Sequence, residues 1–361
     1  MNKQILKFYT LFVVVFLSCN VDKANNKIGK KEIVKLNITE EPKSIEGELI
    51  AIEGFVSPNR MNLQDSILFV KDSRAEKYIH LVDLKNKMRL TSFGIKGKGP
   101  GELLSASSMD FYGNRLWVHD LTLGKFVSFD KDSILNNLDG SYKYTDEIQF
   151  KEKARQNHNP TWLNDSTTIS TTFSESMNRL ILTNSQGKVS DEVFEMIPPQ
   201  KKDTPRAIHN QSYQGKIQKH PSQNKIAVVN RYSDLLEIYD LENETSKLIK
   251  THQNFTPIYE VIKADGNLIM GQDETTRFGC IDISATNDKI FTLYSGRKRG
   301  EGFANYANKI YVYDWKGNYL SSYRIPDLAI GILAQNNNTL LTLEYNKDGM
   351  GMLKRYILNE K

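Results

Sequence analysis

Asn287-Asp288, followed by Ile290-Phe291-Thr292-Leu293, is a tight polar turn that leads into a short apolar strand. Asn, Asp and Gly tolerate the positive φ that tight hairpin turns require, and short apolar runs bounded by such residues are typical of β-strands. This stretch decides the fold because its pattern occurs six times. The six turns are Gln64-Asp65, Gly113-Asn114, Asn164-Asp165, Gln223-Asn224, Asn287-Asp288 and Asn337-Asn338.

The turns recur at nearly even spacing, with steps of 49, 51, 59, 64 and 50 residues between their second positions. A second strand follows each copy, and further hairpin turns at 85–87, 186–188, 242–244 and 316–318 indicate four strands per unit. A period of this length with several strands per unit predicts a β-propeller. We therefore predict an all-β, six-bladed propeller with four-stranded antiparallel blades. Two stacked β-domains are the alternative, which the even repeat disfavours.

The last repeat has room for only three strands before the sequence ends at Lys361. An N-terminal strand, either 33–38 or 47–52, is predicted to supply the missing outer strand and so close the ring, which removes an exposed sheet edge. The propeller is accordingly assigned to residues 33–361.

The first 18 residues have the features of an export signal. Lys3 and Lys7 precede the apolar run 11–17, which is shorter than the ~20 residues of a membrane-spanning helix. The run ends in Ser18-Cys19, which resembles the lipobox of bacterial lipoproteins, in which the cysteine is acylated. We predict a signal peptide over residues 1–18 and a membrane attachment through an acylated Cys19. An ordinary secretory signal with an incidental cysteine, or a plain membrane anchor, is the alternative.

Residues 19–32 are polar and show no apolar period, so they are predicted to form a flexible tether. The protein would then lie in the bacterial cell envelope, either in the periplasm or on the outer-membrane surface.

Composition excludes several classes of protein. Charged residues make up 25% and hydrophobic residues 39% of the chain, as in ordinary soluble proteins. The formal charge of +5 falls to +3 without residues 1–18, which is too small to indicate nucleic-acid binding. The two cysteines, Cys19 and Cys280, exclude a disulfide framework and a cysteine-rich metal site. No cofactor and no metal ligand set is predicted.

Two further stretches are distinctive: FGIKGKGPGEL at residues 93–103, and the strand and turn IYVYDWKGN at 310–318. Together with the six repeats and the lipobox, they resemble the TolB-like six-bladed propeller lipoproteins of Bacteroidetes, over roughly residues 45–358. The resemblance implies the propeller fold and export. It carries over no catalytic residue.

The sequence shows no catalytic motif. The glycine-rich stretch 94–102 is followed by neither Gly-Lys-Ser/Thr nor a helix pattern, so Pro100-Gly101 is predicted to form a type II turn and not a phosphate-binding loop. The six histidines form no HExxH signature, and no GxSxG elbow is present. A metal on a propeller axis would use scattered residues of several blades, for which His158, Asn159 and His209 are candidates.

Three loops carry an excess of basic residues. In a propeller, the loops between blades and those between second and third strands lie on one face. The loops 94–102, 198–209 and 295–302 have formal charges of +1, +2 and +2. We therefore predict a cationic face that attracts an anionic ligand; ordinary solvated loop charges are the alternative reading. The candidate binding residues are Lys96, Lys98, Lys201, Lys202, Arg206, Arg297, Lys298 and Arg299.

These observations favour a non-catalytic envelope protein whose propeller binds a ligand or a protein, with an acidic glycan or an envelope protein as candidate partner. The alternative is a hydrolase or lyase with an axial metal site that acts on a sugar or lactone. Fold alone does not decide between them.

Overall fold

Each of the six predicted turns joins the first two strands of a sheet in the computed structural model, which describes residues 30–50, 55–139, 142–251, 253–264, 266–346 and 348–358. Asp65 and Gly113 adopt the positive φ values, 53° and 58°, that such turns require. The turns therefore mark the repeat that the sequence predicts, and the all-β six-bladed fold is confirmed.

Blades 1 to 3 follow one another along the chain. Three N-terminal strands come first: β1 (Lys30–Lys35), β2 (Lys43–Ser44) and β3 (Gly47–Ile50). Blade 1 consists of β4 (Pro58–Gln64), β5 (Ile67–Asp72), β6 (Lys77–Asp83) and β7 (Met88–Ile95). Blade 2 consists of β8 (Ala106–Tyr112), β9 (Arg115–Asp120), β10 (Lys125–Asp130), the short helix α1 (Lys131–Asn136) and β11 (Asp146–Gln149). After a 3₁₀ turn (Glu152–Gln156), blade 3 consists of β12 (Asn157–Asn164), β13 (Thr167–Thr172), β14 (Asn178–Asn184) and β15 (Val189–Glu195).

Blades 4 to 6 include two insertions. Helix α2 (Arg206–Ser212) precedes blade 4, which consists of β16 (Gly215–Lys219), β17 (Lys225–Asn230), β18 (Leu235–Asp240) and β19 (Thr245–Lys250). A hairpin of β20 (Glu260–Ala264) and β21 (Asn267–Gly271) separates it from blade 5. Blade 5 consists of β22 (Cys280–Ala285), β23 (Lys289–Tyr294), a 3₁₀ turn (Arg299–Glu301), β24 (Ala307–Asp314) and the first part of β25 (Tyr319–Asn336). Blade 6 consists of the second part of β25, β26 (Thr339–Tyr345), β27 (Gly351–Ile357) and β3.

The N-terminal segment closes the ring. Of the two predicted candidates, Gly47–Ile50 is the strand that pairs antiparallel with β27, from Gly47 opposite Tyr356 to Ile50 opposite Leu353. The other candidate, 33–38, does not close the ring. Its residues 33–35 belong to β1, which pairs parallel with β19 as a fifth strand outside blade 4. The sequence assigned Lys30–Glu32 to the flexible tether, but these residues lie in a strand because the edge of β19 is free to pair with them. Cys19 and the rest of the tether lie outside the described residues.

Carboxylates at the ends of second strands hold the blade connections in place. Asp72 accepts hydrogen bonds from the backbone N–H groups of Val56 and Ser57, at 2.7 and 2.8 Å. Asp120, one repeat later, accepts from Ser105 and Leu123, both at 2.8 Å. Burial alone would raise the pKa of Asp72, but hydrogen bonds from His80 and these amides lower it to about 2.

Apolar side chains fill the space between neighbouring blades, as between blades 1 and 2, where Phe69 and Leu81 pack with Val118 and Val127. This packing of sheet faces makes the ring rigid and leaves the innermost strands around a central channel. In the part of the chain that the structure describes, no helix has the length and apolar character needed to cross a bilayer.

Candidate functional site

The ring has two distinct faces. The six turns between first and second strands lie on one side, which we call the turn face. The connections between blades, and the loops between second and third strands, lie on the other side, which we call the loop face. The channel entrance on the loop face is therefore formed by the first residues of the innermost strands and the last residues of the second strands.

A cavity of about 290 Å³ lies at this entrance. Equivalent positions of the innermost strands line it around the whole ring: Asn59, Ser107, His158, Lys216, Ile281 and Ile330. Lys71 and Arg231, from the ends of β5 and β17, complete the cationic part of the lining. No Asp or Glu occurs among the described residues that line the cavity. A cavity with three cations and no carboxylate in its wall is suited to an anion.

Irregular strand geometry turns these side chains toward the axis. The pairing register shifts at Pro58/Arg60, Ala106/Ser108, His158/Thr161, Cys280/Asp282 and Ala329/Gly331. Each shift lies in an innermost strand at the level of the cavity. An extra residue in one strand bends it and redirects its side chains, and such bulges are frequent next to functional sites.

Lys216 forms the floor of the cavity. From blade 4 its Nζ reaches across the channel to within 3.5 Å of the Asn59 carbonyl oxygen and 2.8 Å of Asp282 Oδ1. Asp282 is buried, also faces Arg60 at 3.7 Å, and accepts a hydrogen bond from Ile332 N at 2.9 Å. Below this ion cluster lies a second cavity of about 250 Å³, lined by Arg60, Asp110 and Asp282 among others. The ion cluster therefore separates the entrance cavity from the turn-face half of the channel.

Lys71 is a buried amine in the cavity wall. Its Nζ donates to the Ala106 carbonyl oxygen at 2.8 Å. Burial, with additional repulsion from Lys216 and Arg60, lowers the pKa of Lys71 to about 7. A bound anion would reverse part of this effect because it would stabilise the protonated amine.

Arg231 is held in place by two aromatic rings and one hydrogen bond. Its guanidinium lies over the Phe278 and Tyr232 rings at 5.6 and 6.0 Å, and one terminal nitrogen donates to Asn305 Oδ1 at 2.5 Å. Its buried Nε has no hydrogen-bond partner among the described residues. Arg231 lines the cavity, where its guanidinium can make a charge-assisted hydrogen bond to an anion.

Blades 2 and 3 provide neutral polar groups. Burial lowers the pKa of His158 to about 3, with neighbouring cations contributing, so its imidazole is uncharged at neutral pH. Asn159 Nδ2 donates to the Gly215 carbonyl oxygen at 2.8 Å, and Ser107 Oγ lies 2.6 Å from His119 Nδ1. This side of the cavity can both donate and accept hydrogen bonds.

The predicted basic loops lie on the loop face but on different blades. The loop with Lys96 and Lys98 joins blades 1 and 2, the loop with Lys201, Lys202 and Arg206 joins blades 3 and 4, and the loop with Arg297, Lys298 and Arg299 belongs to blade 5. Lys96 packs over the Tyr78 ring, and Arg299 donates to the Gln272 carbonyl oxygen at 3.4 Å. The three basic loops are thus distributed around the loop face. The cations in the cavity wall are different residues, namely Lys71, Lys216 and Arg231.

The glycine-rich loop forms the predicted type II turn. Glu102 N donates to the Gly99 carbonyl oxygen at 3.1 Å, and Gly101 has a φ of 72°. The Glu102 carboxylate accepts from Gly99 N at 2.8 Å, and Glu147 accepts from Gly101 N at 2.9 Å. The amides of Gly99 and Gly101 already donate to carboxylates, whereas in a phosphate-binding loop such amides would face the phosphate.

The three candidate metal ligands do not lie together in the structure. His158 and Asn159 line the cavity, but His209 is buried in α2, where its Nε2 lies 2.6 Å from the Ile197 carbonyl oxygen. Within the described ranges, no group of three or more His, Cys, Asp or Glu side chains is arranged to hold a metal ion. Cys280 is buried, and its burial raises the pKa of the thiol.

Comparison with known proteins identifies the family. The sequence profile described as TolB-like 6-blade propeller-like matches residues 41–336. The chain belongs to the TolB-like six-bladed propeller family. Curated proteins give no significant match to this TolB-like chain.

Two solved structures share the fold of this TolB-like propeller. One, a Bacteroides fragilis protein described as exported, has 12% identity and a TM-score of 0.55, and the match covers 92% of this chain and 100% of that one. The other, a member of the DUF4221 family from Bacteroides vulgatus, has 8% identity and a TM-score of 0.55, with 85% and 94% covered. At these identities the likeness concerns the fold.

Proposed function

We propose that the protein is an exported, lipid-anchored envelope protein that binds a small anionic ligand in the axial cavity. The observation that carries the proposal is the cavity wall, in which Lys71, Lys216 and Arg231 converge; among the described residues the lining holds no carboxylate, and Asp282, which pairs with Lys216 at 2.8 Å, lies below it. The basic loops around the entrance would raise the local concentration of anions, and the axial cations would hold them. The acidic end of a glycan or of a protein segment is a ligand of this kind.

The route of the chain determines how an anchored propeller would be oriented. Lys30, at the start of β1, pairs with Thr245, which follows the turn-face hairpin of blade 4. The predicted tether from Cys19 would thus join the propeller at the turn face, and the cavity entrance would point away from the membrane. A structural neighbour that is described as exported is in keeping with an envelope location.

Removal of the axial charge is expected to weaken anion binding more than removal of a loop charge. We expect Lys216→Gln and Arg231→Gln each to weaken sulfate binding by at least tenfold, since a charge-assisted hydrogen bond contributes about 1.5–3 kcal/mol. Lys298→Gln, which changes an exposed loop residue, serves as the matched control and should change affinity by less than about threefold. Isothermal titration calorimetry at constant ionic strength measures both. If the loop and axial variants weakened sulfate binding equally, the binding site would have to be assigned to the loops. If the wild type bound no detectable sulfate, the proposal would be rejected.

Sulfate affinity is expected to depend on pH through Lys71. Because the pKa of Lys71 is about 7, its protonated fraction in the free protein falls from about 0.9 at pH 6 to about 0.1 at pH 8. The anion binds the protonated form, so affinity should fall about tenfold across this range. Sulfate itself does not titrate there. Lys71→Met should abolish most of the pH dependence, and a wild-type affinity that is the same at both pH values would contradict this role for Lys71.

A further inference from the structure

The cavity wall is divided into sectors of different chemistry. Blades 1 and 4 contribute the cations Lys71, Lys216 and Arg231. Blades 2 and 3 contribute Ser107, His158 and Asn159, which are polar and uncharged at neutral pH. Blades 5 and 6 contribute Cys280, Ile281 and Ile330. A ligand that matches all three sectors has an anionic group, hydrogen-bonding groups along one edge and an apolar face.

The polar sector favours a ligand that carries hydrogen-bond donors. The innermost-strand carbonyl groups at this level already accept from side chains, as Ala106 does from Lys71 and Gly215 from Asn159, so polar side chains are the groups that meet a ligand. Inorganic anions such as sulfate offer only acceptors. The Ser107 hydroxyl and the neutral His158 imidazole can each donate and accept, and the hydroxyl groups of a ligand, which also do both, match them better than an inorganic anion does.

The floor of the cavity limits how a ligand enters. Lys216 reaches across the channel toward Asn59 and pairs with Asp282 at 2.8 Å, so the cavity is reached from the loop face. Its volume of about 290 Å³ is at the small end of ligand sites. A ligand with a single ring fits such a space. A unit from the middle of a polymer chain does not, because the chain would have to continue through the closed floor of the cavity.

We propose that the axial cavity binds an acidic monosaccharide, either as a free sugar acid or as the terminal unit of an acidic glycan. This rests on the anion-binding function proposed above. The carboxylate lies among Lys71, Lys216 and Arg231, the hydroxyl groups face Ser107 and Asn159, and the C–H face of the ring packs on Ile281 and Ile330. The sugar ring supplies in one molecule the three chemistries that the wall presents.

The proposal is tested by calorimetric titration of the full-length protein in detergent with D-glucuronate, D-glucose, acetate and sulfate. D-glucuronate should bind at least tenfold more tightly than acetate, which has the charge alone, and D-glucose should show no measurable binding. Trigalacturonate compared with D-galacturonate separates the two sources: binding of the trimer as tight as that of its own monomer assigns the site to a glycan terminus, and much weaker binding assigns it to the free acid.

Two variants test the sectors. Ser107→Ala, at the polar wall, and Ile330→Ser, at the apolar wall, should each weaken D-glucuronate binding five- to tenfold and leave sulfate binding unchanged. Circular dichroism melting verifies that both variants are folded. If sulfate binds but D-glucuronate binds no more tightly than acetate, the sugar-acid assignment is overturned and the anion site stands. If neither binds, both proposals fail.

Discussion

Replacing Arg179 by methionine is expected to lower the free energy of unfolding by about 3–5 kcal/mol, because it leaves the Glu237 carboxylate buried without its counter-ion. Arg179 of blade 3 and Glu237 of blade 4 are 3% and 1% exposed, and their closest atoms lie 2.7 Å apart. Asn230 joins the pair, since it accepts from Arg179 at 3.1 Å and donates to Glu237 at 2.7 Å. Burial would raise the pKa of Glu237, but the arginine lowers it overall.

Chemical denaturation of the wild type and variants measures this loss. Arg115→Met is the matched control because Arg115 pairs with Asp146 at 3.2 Å in an exposed position, where ion pairs contribute little. The double variant Arg179→Met/Glu237→Leu should recover part of the loss, since it removes the unpaired charge. A loss for Arg179→Met as small as that for Arg115→Met would show that the pair does not join blades 3 and 4 energetically.

The repeat could be predicted from sequence because turn chemistry is local. Asp65 and Gly113 take up positive φ values wherever a tight hairpin requires them, so the turns are visible without any tertiary information. The route from blade 5 to blade 6 was not visible. Strand β25 runs through Ile325-Pro326-Asp327 without a loop, although proline ordinarily indicates a strand end. It continues because residues up to 324 pair with β24 and residues from 328 pair with β26.

The N-terminal strands show a similar limit. An alternating apolar pattern marks 33–38 as a strand, but only the free edge of β19 determines that it adds to blade 4 and not to blade 6. Edges that become available after folding leave no mark in the local sequence.

The axial cavity was missed for a geometric reason. Its lining residues occupy one structural level, yet they stand at different distances from the six turns: Asn59 is six residues before Asp65, and His158 is seven before Asp165. The register shifts in the innermost strands cause this difference. One local signal for the cavity was present in the sequence: Lys71 follows the apolar run Ile67–Val70, and a charged residue at the end of a buried strand can indicate a functional position. The basic loops were easier to see because their charges are contiguous in sequence.

Residues 47–50 are expected to be indispensable for the closed ring, although they lie more than 300 positions from their partner strand. Ile50 is fully buried and packs with Leu341, Leu343 and Leu353 of blade 6. The ring of Tyr356 covers Gly47 so closely that a Cβ there would lie 2.5 Å from it. Without β3, the outer edge of β27 and this apolar surface are exposed.

A chain that begins at Phe55 should therefore lose more than the ~2–5 kcal/mol that deletion of one buried isoleucine side chain costs, and should melt without a single cooperative transition. A chain that begins at Lys30 retains β1, β2 and β3 and serves as the control, which should melt like the full-length protein.

A chain that begins at Gly47 isolates the closing strand, because it lacks β1 and β2 but keeps the pairing with β27. Calorimetry should place its melting temperature between the other two, since β3 carries the closure and the outer strands add edge protection. If the chain that begins at Phe55 melted as cooperatively as the control, blade 6 would be complete with three strands, and the N-terminal strand would not be needed to close the ring.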